Sequence, residues 1–452
     1  MDLQQHLTLP IFSTLSACAD ELGYECYVIG GFVRDIFLKR PSNDIDVVVV
    51  GSGIEMAQSI QKSLGKKAHL TVFKNFGTAQ IKYQETEIEL VGARKESYNR
   101  GSRKPIVEDG TLQDDQNRRD FTINALAICL NKDRFGQLVD PFQGMRDLEN
   151  RIIRTPLNPD ITFSDDPLRM MRCIRFATQL SFYIEEKTLN SIKANKERIN
   201  IVSQERIVDE LHKIMKSSKP SVGFKLLRET GLLSLILPEI EALNGVDPIQ
   251  GKSHKDVYLH TLEVVDKMAT KTDNLWLRWA ALLHDIGKPA TFSLDENGQG
   301  HFYGHAEKSA EMADAILRRL KASTQLREDT VFLIEKHMIP LTPDPKLLRR
   351  RLSQYGQSRL AMLLQLQQAD FCAKGVADNT TDFAAIRQQL DAILPENACL
   401  PIKDLPVNGH DLLELGYIGP AIGQALQALL DAVLDERLPN ERAALLNALH
   451  TR

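Results

Sequence analysis

The spacing of apolar and polar residues changes once along the chain, near residue 155. Before that point, short apolar or alternating runs bounded by Gly, Asn and Asp predict strands at 27–29, 46–50, 79–82 and 87–91. After it, apolar residues recur at helical spacing, as at 166–180, 205–215, 275–283 and 308–320. A Pro-containing stretch, 394–407, precedes the last predicted helices at 411–414 and 420–434. The pattern predicts an α+β chain with a small α/β head and a long helical body.

Length and composition bound the domain count and the compartment. At 452 residues the chain should form roughly two to four domains. We predict a head at 1–150, a helical neck at 151–245, a helical domain at 246–390 and a helical tail at 391–452. The six cysteines are scattered without a CxxC pair, which fits a reducing compartment and argues against a zinc ribbon or a disulfide framework. There is no secretory signal pattern and no apolar run of about 18 residues, so we expect a cytoplasmic protein with no membrane partner.

A glycine pair and an acidic pair lie close together in the predicted head. The run YVIGGFVRD at 27–35 predicts a strand, a turn at Gly30 and Gly31, and a helix start, where backbone N–H groups could approach a phosphate. Asp44 and Asp46 begin the next strand, and residues two apart in a strand share a face. Neighbouring carboxylates repel one another unless a cation lies between them, so the pair predicts a Mg²⁺ site. A DxD pair by itself is more often a solvated strand end.

Further acidic and basic residues extend this candidate site. Glu89, in a neighbouring predicted strand, could be a third carboxylate or simply an exposed strand residue. Arg118, Arg119 and Asp120 supply two cations that suit a triphosphate and an acceptor for a ribose hydroxyl; a solvated charged turn is the alternative. In SDDPLRMMR at 164–172, we expect Ser164 to cap a helix that carries an acid–base pair three residues apart on one face. An ordinary surface ion pair is the alternative there.

Taken together, GGxVRD and the following DxD resemble the catalytic signature of class II tRNA nucleotidyltransferases and bacterial poly(A) polymerases. Three more stretches are similar to that family, in the same order: RKESY at 94–98 to its mobile loop, RRDFTINA at 118–125 to its RRD element, and 164–172 to its base-reading helix. Asp165 stands where the family usually has Glu. The resemblance covers about 25–215 and implies a polymerase-β-like head with Mg²⁺-dependent nucleotidyl transfer. It implies catalytic groups at Asp44, Asp46 and Glu89, and nucleotide contacts from Gly30, Gly31, Arg34, Arg118, Arg119, Asp120, Asp166, Arg169 and Arg172.

The predicted pair Asp166 and Arg169 suits cytosine and adenine better than uracil and guanine. A carboxylate only accepts and a guanidinium only donates, and both C and A present an amino donor beside a ring-nitrogen acceptor. Mispairing with U or G would cost on the order of a few kcal/mol. The resemblance therefore implies that C, C and A are added to tRNA from CTP and ATP. A poly(A) polymerase or an A-adding or CC-adding enzyme is the alternative, although the full-length loop around 94–103 favours the terminal A step.

A second candidate metal site lies in the predicted helical domain. A His-Asp doublet with an upstream His and a downstream Asp resembles the HD phosphohydrolase superfamily, a helical metal-dependent fold. The resemblance implies metal ligands at His260, His284, Asp285 and Asp370, with His305 and His337 as further candidates. Such ligands suit Mn, Ni, Zn or Fe. The domain could be a phosphodiesterase or phosphatase, or could serve only to hold RNA. A metal phosphohydrolase whose head merely binds nucleotide is the rival hypothesis for the whole chain.

The net charge of −4 does not indicate a nucleic-acid-binding protein, so tRNA would need a local basic surface. Two clusters are candidates: Lys213, Lys216 and Lys219 in one, and Lys346, Arg349, Arg350 and Arg351 in the other. Because charge runs are usually solvated faces, these are weaker predictions than the motifs above.

Overall fold

The computed structural model describes residues 1–42, 44–98, 105–246, 256–374, 382–394 and 402–450. The chain forms two compact units, Met1–Pro238 and Glu239–Arg452. The first combines a mixed sheet with helices, and the second is helical apart from one short hairpin in its described residues. The predicted α+β class is therefore confirmed. None of the described helices is both long enough and apolar enough to cross a membrane.

The strands lie mainly in the first unit. They are β1 (Glu25–Ile29), β2 (Asp44–Val50), β3 (Ala68–Phe73), β4 (Thr78–Tyr83), β5 (Thr86–Gly92), β6 (Arg94–Tyr98), β7 (Pro105–Asp109), β8 (Ala127–Cys129), β9 (Leu138–Val139), β10 (Ile152–Ile153), β11 (Tyr183–Ile184), β12 (Ser293–Leu294) and β13 (Gly300–His301). All four predicted strands are present and slightly longer than predicted.

Helices of the first unit are α1 (Pro10–Leu22), α2 (Gly31–Phe37), α3 (Gly53–Leu64), α4 (Leu112–Asn117), α5 (Gly144–Asn150), α6 (Pro159–Asp165), α7 (Leu168–Leu180), α8 (Glu186–Asn195), α9 (Gln204–Met215), α10 (Pro220–Glu229) and α11 (Leu232–Ile236), followed by α12 (Pro238–Glu241). The second unit contains α13 (Val257–Ala269), α14 (Leu275–Leu283), α15 (Lys288–Thr291), α16 (His305–Arg319), α17 (Thr324–Lys336), α18 (Pro345–Ala373), α19 (Phe383–Ile393), α20 (Gly409–Glu414), α21 (Pro420–Leu434) and α22 (Arg442–His450).

The head is built on a seven-stranded sheet in the order β3-β4-β5-β2-β1-β8-β9. β2 runs parallel to β5 and antiparallel to β1, while β3, β4 and β5 form an antiparallel meander. Helix α3 packs on β3, β4 and β5, and the side chains beneath it are apolar and buried, including Ile81, Ile88 and Leu90. Burying each such side chain contributes about 1.5–3 kcal/mol. Alternation along the strands leaves the polar residues on the opposite face.

The predicted helix at 166–180 is broken at its start, which corrects the sequence prediction. Ser164 is not a helix cap but lies inside α6, and Asp166 ends α6 with φ −130° and ψ 98°. The residue before a proline is driven out of the helical region by the proline ring, and Pro167 follows. The Asp166 carboxylate instead accepts the Leu168 N–H (3.2 Å), so Asp166 precedes α7 rather than sharing a helix face with Arg169.

The second unit packs α13, α14, α16, α17 and α18 together, with the fully buried Trp279 in α14. A smaller core joins α20, α21 and α22. The predicted basic cluster contacts this last part of the chain: Arg349 pairs with Glu436 (2.5 Å) and Arg350 with Asp435 (2.8 Å). These two arginines therefore bridge α18 to residues just after α21, which weakens the hypothesis that they bind RNA.

Candidate functional site

The three candidate carboxylates lie on one face of the head sheet. Asp46 pairs in register with Glu89 of the parallel neighbour β5, and Asp44, two residues before Asp46, points the same way. Burial raises the pKa of Asp46, and the charges of Asp44 and Asp115 raise it further against the effect of Arg119. Partial burial and then the charge of Asp46 also raise the pKa of Glu89, whose side chain stays exposed on one side. Mutual repulsion of this kind favours a divalent cation at the face.

The glycine turn lies directly against Asp46. Gly30 has φ +82° and ψ −134°, which a residue with a side chain rarely adopts, and its N–H donates to the Leu126 carbonyl (3.2 Å). A Cβ added to Gly30 would lie 3.1 Å from Asp46 Oδ2 and 3.1 Å from Arg119 Nη1. The turn, one carboxylate and one guanidinium are thus neighbours, a combination that suits a metal-bound phosphate.

A buried acid that the sequence interpretation did not single out orients the arginines. Asp115 is fully buried; its Oδ1 accepts from Arg118 Nε (2.9 Å) and its Oδ2 from Arg119 Nε (3.1 Å). The spacing of three and four residues could have revealed these pairs, because such residues are neighbours on a helix. Arg34 is held separately, by Asp35 and by Asn124 Oδ1 (2.9 Å from Nη1).

Asp120 forms an ion pair with Arg172 of α7. Its Oδ2 accepts from Arg172 Nε (2.8 Å) and Nη2 (2.5 Å), and its Oδ1 accepts from Asn124 Nδ2 (3.0 Å) and the Phe121 N–H (2.9 Å). Burial alone would raise the pKa of Asp120, but Arg172 and Asn124 outweigh burial and lower the pKa to about 2. In this geometry Oδ2 connects the RRD element to α7 and Oδ1 is held within the RRD element, so a ribose hydroxyl would have to share one of these oxygens.

Asp166 and Arg169 are both anchored at the start of α7. Asp166 holds the Leu168 N–H, and Arg206 lies 3.9 Å from its second oxygen. Arg169 Nη2 donates to the Arg118 carbonyl (2.6 Å), which connects the candidate base-reading residue to the RRD element. The acceptor and the donor expected from the sequence are thus held by backbone contacts near the arginine cluster.

The predicted mobile loop begins as a paired strand. β6 is antiparallel to β7, and the Glu96 carboxylate binds Arg94 Nε (2.8 Å) and Arg118 Nη1 (3.5 Å) with its side chain 4% exposed. Sequence interpretation missed this ion pair, which connects the hairpin to the RRD element. The rest of the predicted loop, residues 99–103, lies outside the described residues.

A second cluster gathers all six predicted ligands of the helical body. The ligand atoms of His260, His284 and Asp285 lie within 4.8 Å of one another, and so do those of Asp285, His305 and His337. Asp285 belongs to both sets, and such a shared carboxylate can bridge two ions. The sixth ligand, Asp370, places Oδ1 2.8 Å from His260 Nε2 and 3.6 Å from His284 Nε2.

Backbone contacts orient the histidines of this cluster. In three of the four histidines, Nδ1 faces the carbonyl of the residue three positions earlier: His284 faces Ala281 (2.9 Å), His305 faces Phe302 (2.8 Å), and His337 faces Ile334 (2.6 Å). Donation from Nδ1 leaves the Nε2 lone pair for a metal, as in known metal sites.

The electrostatics of this second cluster also favour a cation. Burial alone would lower the pKa of His284, yet Asp285 and Asp370 outweigh burial and raise the pKa to about 10. Burial lowers the pKa of His337 to about 4, which keeps its imidazole neutral. A proton on His284 and a metal ion would compete for the same place. Lys288 and Lys374, which sequence interpretation did not single out, bind the two carboxylates at 2.7 and 2.8 Å.

The two clusters differ in how tightly they are gathered. Among the described residues, only sets from the second unit bring three ligand atoms within 4.8 Å of one another. The head carboxylates share a face without forming such a cage. The head therefore presents an open site to which a substrate could bring further ligands, whereas the body has a nearly complete protein ligand set.

Three known family models match successive parts of the chain. Residues 26–154 match the poly A polymerase head domain, 181–243 the "Probable RNA and SrmB- binding site of polymerase A", and 257–370 the HD domain. A multifunctional CCA protein of Aromatoleum aromaticum is 34% identical over 406 residues, which cover 85% of this chain and 96% of the relative. An A-adding tRNA nucleotidyltransferase of Deinococcus radiodurans is 34% identical over 71% of this chain and 75% of its own length.

Solved structures share the fold. The CCA-adding enzyme of Bacillus stearothermophilus in complex with CTP superimposes with a TM-score of 0.71 at 24% identity, covering 98% of both chains. The Thermotoga maritima CCA-adding enzyme complexed with tRNA gives a TM-score of 0.62 at 24% identity, covering 100% of this chain and 98% of the other. The extent and identity of the sequence match show that the chain belongs to the family of tRNA nucleotidyltransferases and poly(A) polymerases, in a form that carries an HD domain.

Proposed function

We propose that the protein adds C, C and A to the 3′ end of tRNA, using CTP, ATP and Mg²⁺ and releasing pyrophosphate. One observation carries the proposal: Asp46 lies in register with Glu89 and against both Gly30 and Arg119. This corner combines acidic metal ligands with a turn and a cation suited to a triphosphate. The names of the sequence relatives and the CTP and tRNA complexes of the structural relatives support these substrates.

Asp44, Asp46 and Glu89 are the residues that would hold Mg²⁺, because carboxylate oxygens are the ligands this ion prefers. Bound there, magnesium would activate the RNA 3′-hydroxyl and neutralise charge on the leaving pyrophosphate. Gly30 and Gly31 would admit the phosphates close to the backbone. The cations proposed to surround these phosphates are Arg34, Arg118, Arg119 and Arg172. Positioning and charge neutralisation, without a covalent intermediate, would supply the rate acceleration.

Base selection is assigned to Asp166 and Arg169. The anchored carboxylate would accept from the exocyclic amino group of C or A, and the anchored guanidinium would donate to the ring nitrogen. Asp120 would act through Arg172 by holding α7 in place, in addition to any contact with ribose. The pair needs no shared helix face for this role, because its two members approach the base from the break before α7 and from the first turn of α7.

Extension assays on tRNA lacking its CCA end test the proposal. With CTP alone the products should be two nucleotides longer, and with CTP and ATP three longer. The Deinococcus relative named as A-adding motivates the alternative that only A is added. If this protein added only A, it would extend only tRNA that already ends in CC. If it were a poly(A) polymerase, it would make long products from ATP alone.

For the HD site we propose a metal-dependent phosphodiesterase or phosphatase that uses Mn, Ni, Zn or Fe. The support is the double ligand set that shares Asp285, with histidines turned by their backbone contacts. A bound transition metal would supply a hydroxide nucleophile near neutral pH. Hydrolysis of a generic phosphodiester by purified protein, measured together with its metal content, tests this activity. The alternative is an RNA-holding role. It would be supported by protein that is purified without chelator, holds no transition metal, folds and adds CCA, but hydrolyses no phosphodiester.

The division into head (1–150), neck (151–245), HD-type domain (246–390) and tail (391–452) remains a proposal, as does the cytoplasm as the compartment. The five described cysteines are free thiols, which suits a reducing compartment. Limited proteolysis followed by mass spectrometry would locate the boundaries.

A further inference from the structure

The head sheet has two different sides around Asp46. On one side lie β1 and β8, with the Gly30 turn and Arg119 against the carboxylate. On the other side lie β5, β4 and β3, in that order to the sheet edge. Phosphates held by the turn and the guanidinium therefore lie toward β1, and Glu89 lies toward β5. The two sides of Asp46 therefore differ: the phosphate-binding groups lie on the β1 side, and the β5 side is left for the other substrate.

The strand register places a row of polar residues that extends from the carboxylates to the edge strand β3. Asp46 is opposite Glu89, Glu89 is opposite Gln80, and Gln80 is opposite Thr71 on the edge strand. Partners in register point to the same face. Glu89 and Thr71 are exposed and Gln80 is partly exposed. This half of the face is therefore accessible, in contrast to the face beneath α3.

A parallel row and a pair of aromatic side chains complete the surface. Asp44, Glu87, Lys82 and His69 form the second row by the same register, and the last three are exposed. Phe73 lies on the same face of the edge strand as Thr71 and is 42% exposed. Phe76, in the turn between β3 and β4, is 74% exposed. Two exposed phenyl rings beside a polar face and Lys74 are a typical platform for unpaired bases.

The geometry of nucleotidyl transfer indicates which substrate lies on this surface. In nucleotidyl transfer the attacking and leaving oxygens lie roughly in line across the phosphorus. A pyrophosphate that leaves toward Gly30 and Arg119 requires a nucleophile that arrives from the side of Glu89. The strand that carries this hydroxyl must continue outward over β5 and β4. Three strand spacings of about 4.8 Å separate β2 from β3, about 14 Å in total, which more than one nucleotide would be needed to span.

We propose that this surface, from Glu89 through Gln80 and Thr71 to Phe73 and Phe76, binds the 3′-terminal nucleotides of the acceptor RNA. A base near the end stacks on one or both phenyl rings, and Lys82 lies near the phosphates. The inference rests on the proposed nucleotidyl transfer in the head, and it adds where the RNA end lies and which side chains hold it.

Kinetics with a double variant, Phe73→Ala with Phe76→Ala, test the proposal. Both rings are exposed, so the fold should survive. Removing a stacking platform should raise the KM for tRNA lacking CCA about tenfold. The KM for CTP should change less than about twofold, because the triphosphate side is untouched. Phe73→Trp with Phe76→Trp keeps the rings and should restore the wild-type KM. Tyr303→Ala, which removes an equally exposed ring (75%) from the second unit, is the matched control and should change neither constant.

A crosslinking measurement decides the proposal without turnover. A truncated tRNA with 4-thiouridine as its penultimate nucleotide is irradiated with the full-length protein, and the adduct is mapped by mass spectrometry. We expect the adduct within residues 69–82. An adduct found only elsewhere, or an unchanged tRNA KM in the double alanine variant, would overturn the proposal while leaving CCA addition intact. If the wild-type protein extends no RNA, the proposed function fails, and the adduct position still decides where the RNA end binds.

Discussion

Replacing Gly30 by alanine tests whether the turn is needed for catalysis rather than for folding. Alanine at φ +82° and ψ −134° is strained, at a cost of about 1–3 kcal/mol. Its Cβ would also lie 3.1 Å from Asp46 Oδ2 and from Arg119 Nη1, so both groups must shift by a few tenths of an ångström. Displacements approaching 1 Å in a catalytic site cost about 100-fold in rate. A shift of a few tenths of an ångström is smaller than this, so we expect kcat for CTP addition to fall by about 10-fold.

Gly65 provides the matched control in the same unit. It has nearly the same backbone conformation, φ 61° and ψ −140°, and a Cβ there meets nothing within 4 Å. Gly65→Ala should therefore lose similar stability and keep wild-type kcat. Thermal unfolding of both variants would establish the matched stability, and single-turnover extension of truncated tRNA would give the rates. Equal rates in the two variants would show that the Gly30 turn has no effect on catalysis beyond its backbone strain.

Three other substitutions separate the remaining roles. Asp166→Ala should reduce the preference for CTP and ATP over UTP and GTP about 10- to 100-fold in single-nucleotide assays, and an unchanged preference would move base selection elsewhere. Because the folded pKa of Asp120 is about 2 and its unfolded pKa about 3.9, its pair with Arg172 should contribute about 2–3 kcal/mol above pH 4 and lose this as the pH falls toward 2. The stability difference between wild type and Asp120→Asn, from urea unfolding, should therefore shrink below pH 4; a constant difference would contradict the pairing. Asp285→Asn should lower the transition-metal content measured by mass spectrometry and abolish phosphodiester hydrolysis while CCA addition continues, and retained metal would contradict the shared-ligand geometry.

Local rules predicted the head because its strands alternate and its motifs follow one another closely. The register that places Glu89 beside Asp46 depends on long-range pairing, so the sequence suggested only a neighbouring strand. The break at Asp166 could have been predicted from Pro167, whose effect on the preceding residue is local. The helical spacing of apolar residues nevertheless favoured an uninterrupted helix.

Contacts between distant residues were the part that sequence could not supply. The pairing of Asp120 with Arg172 joins residues 52 apart, and that of Arg350 with Asp435 joins residues 85 apart. The sequence prediction assigned both arginines to RNA or nucleotide, because the sequence shows that a side chain is charged but does not show which group it pairs with. The HD ligands could be predicted as a set from the resemblance, but the sharing of Asp285 between two ligand sets required coordinates.

Comparing wild type with Asp46→Asn in the extension of truncated tRNA by CTP and ATP with Mg²⁺ tests whether the acidic face of the head performs the nucleotide transfer. The two side chains have nearly the same shape, so the substitution removes a charge from the metal-binding face and little else. We expect products three nucleotides longer with the wild-type protein and none above background with the variant. An Asp46→Asn protein that completes the CCA end at a rate near that of wild type would contradict this expectation.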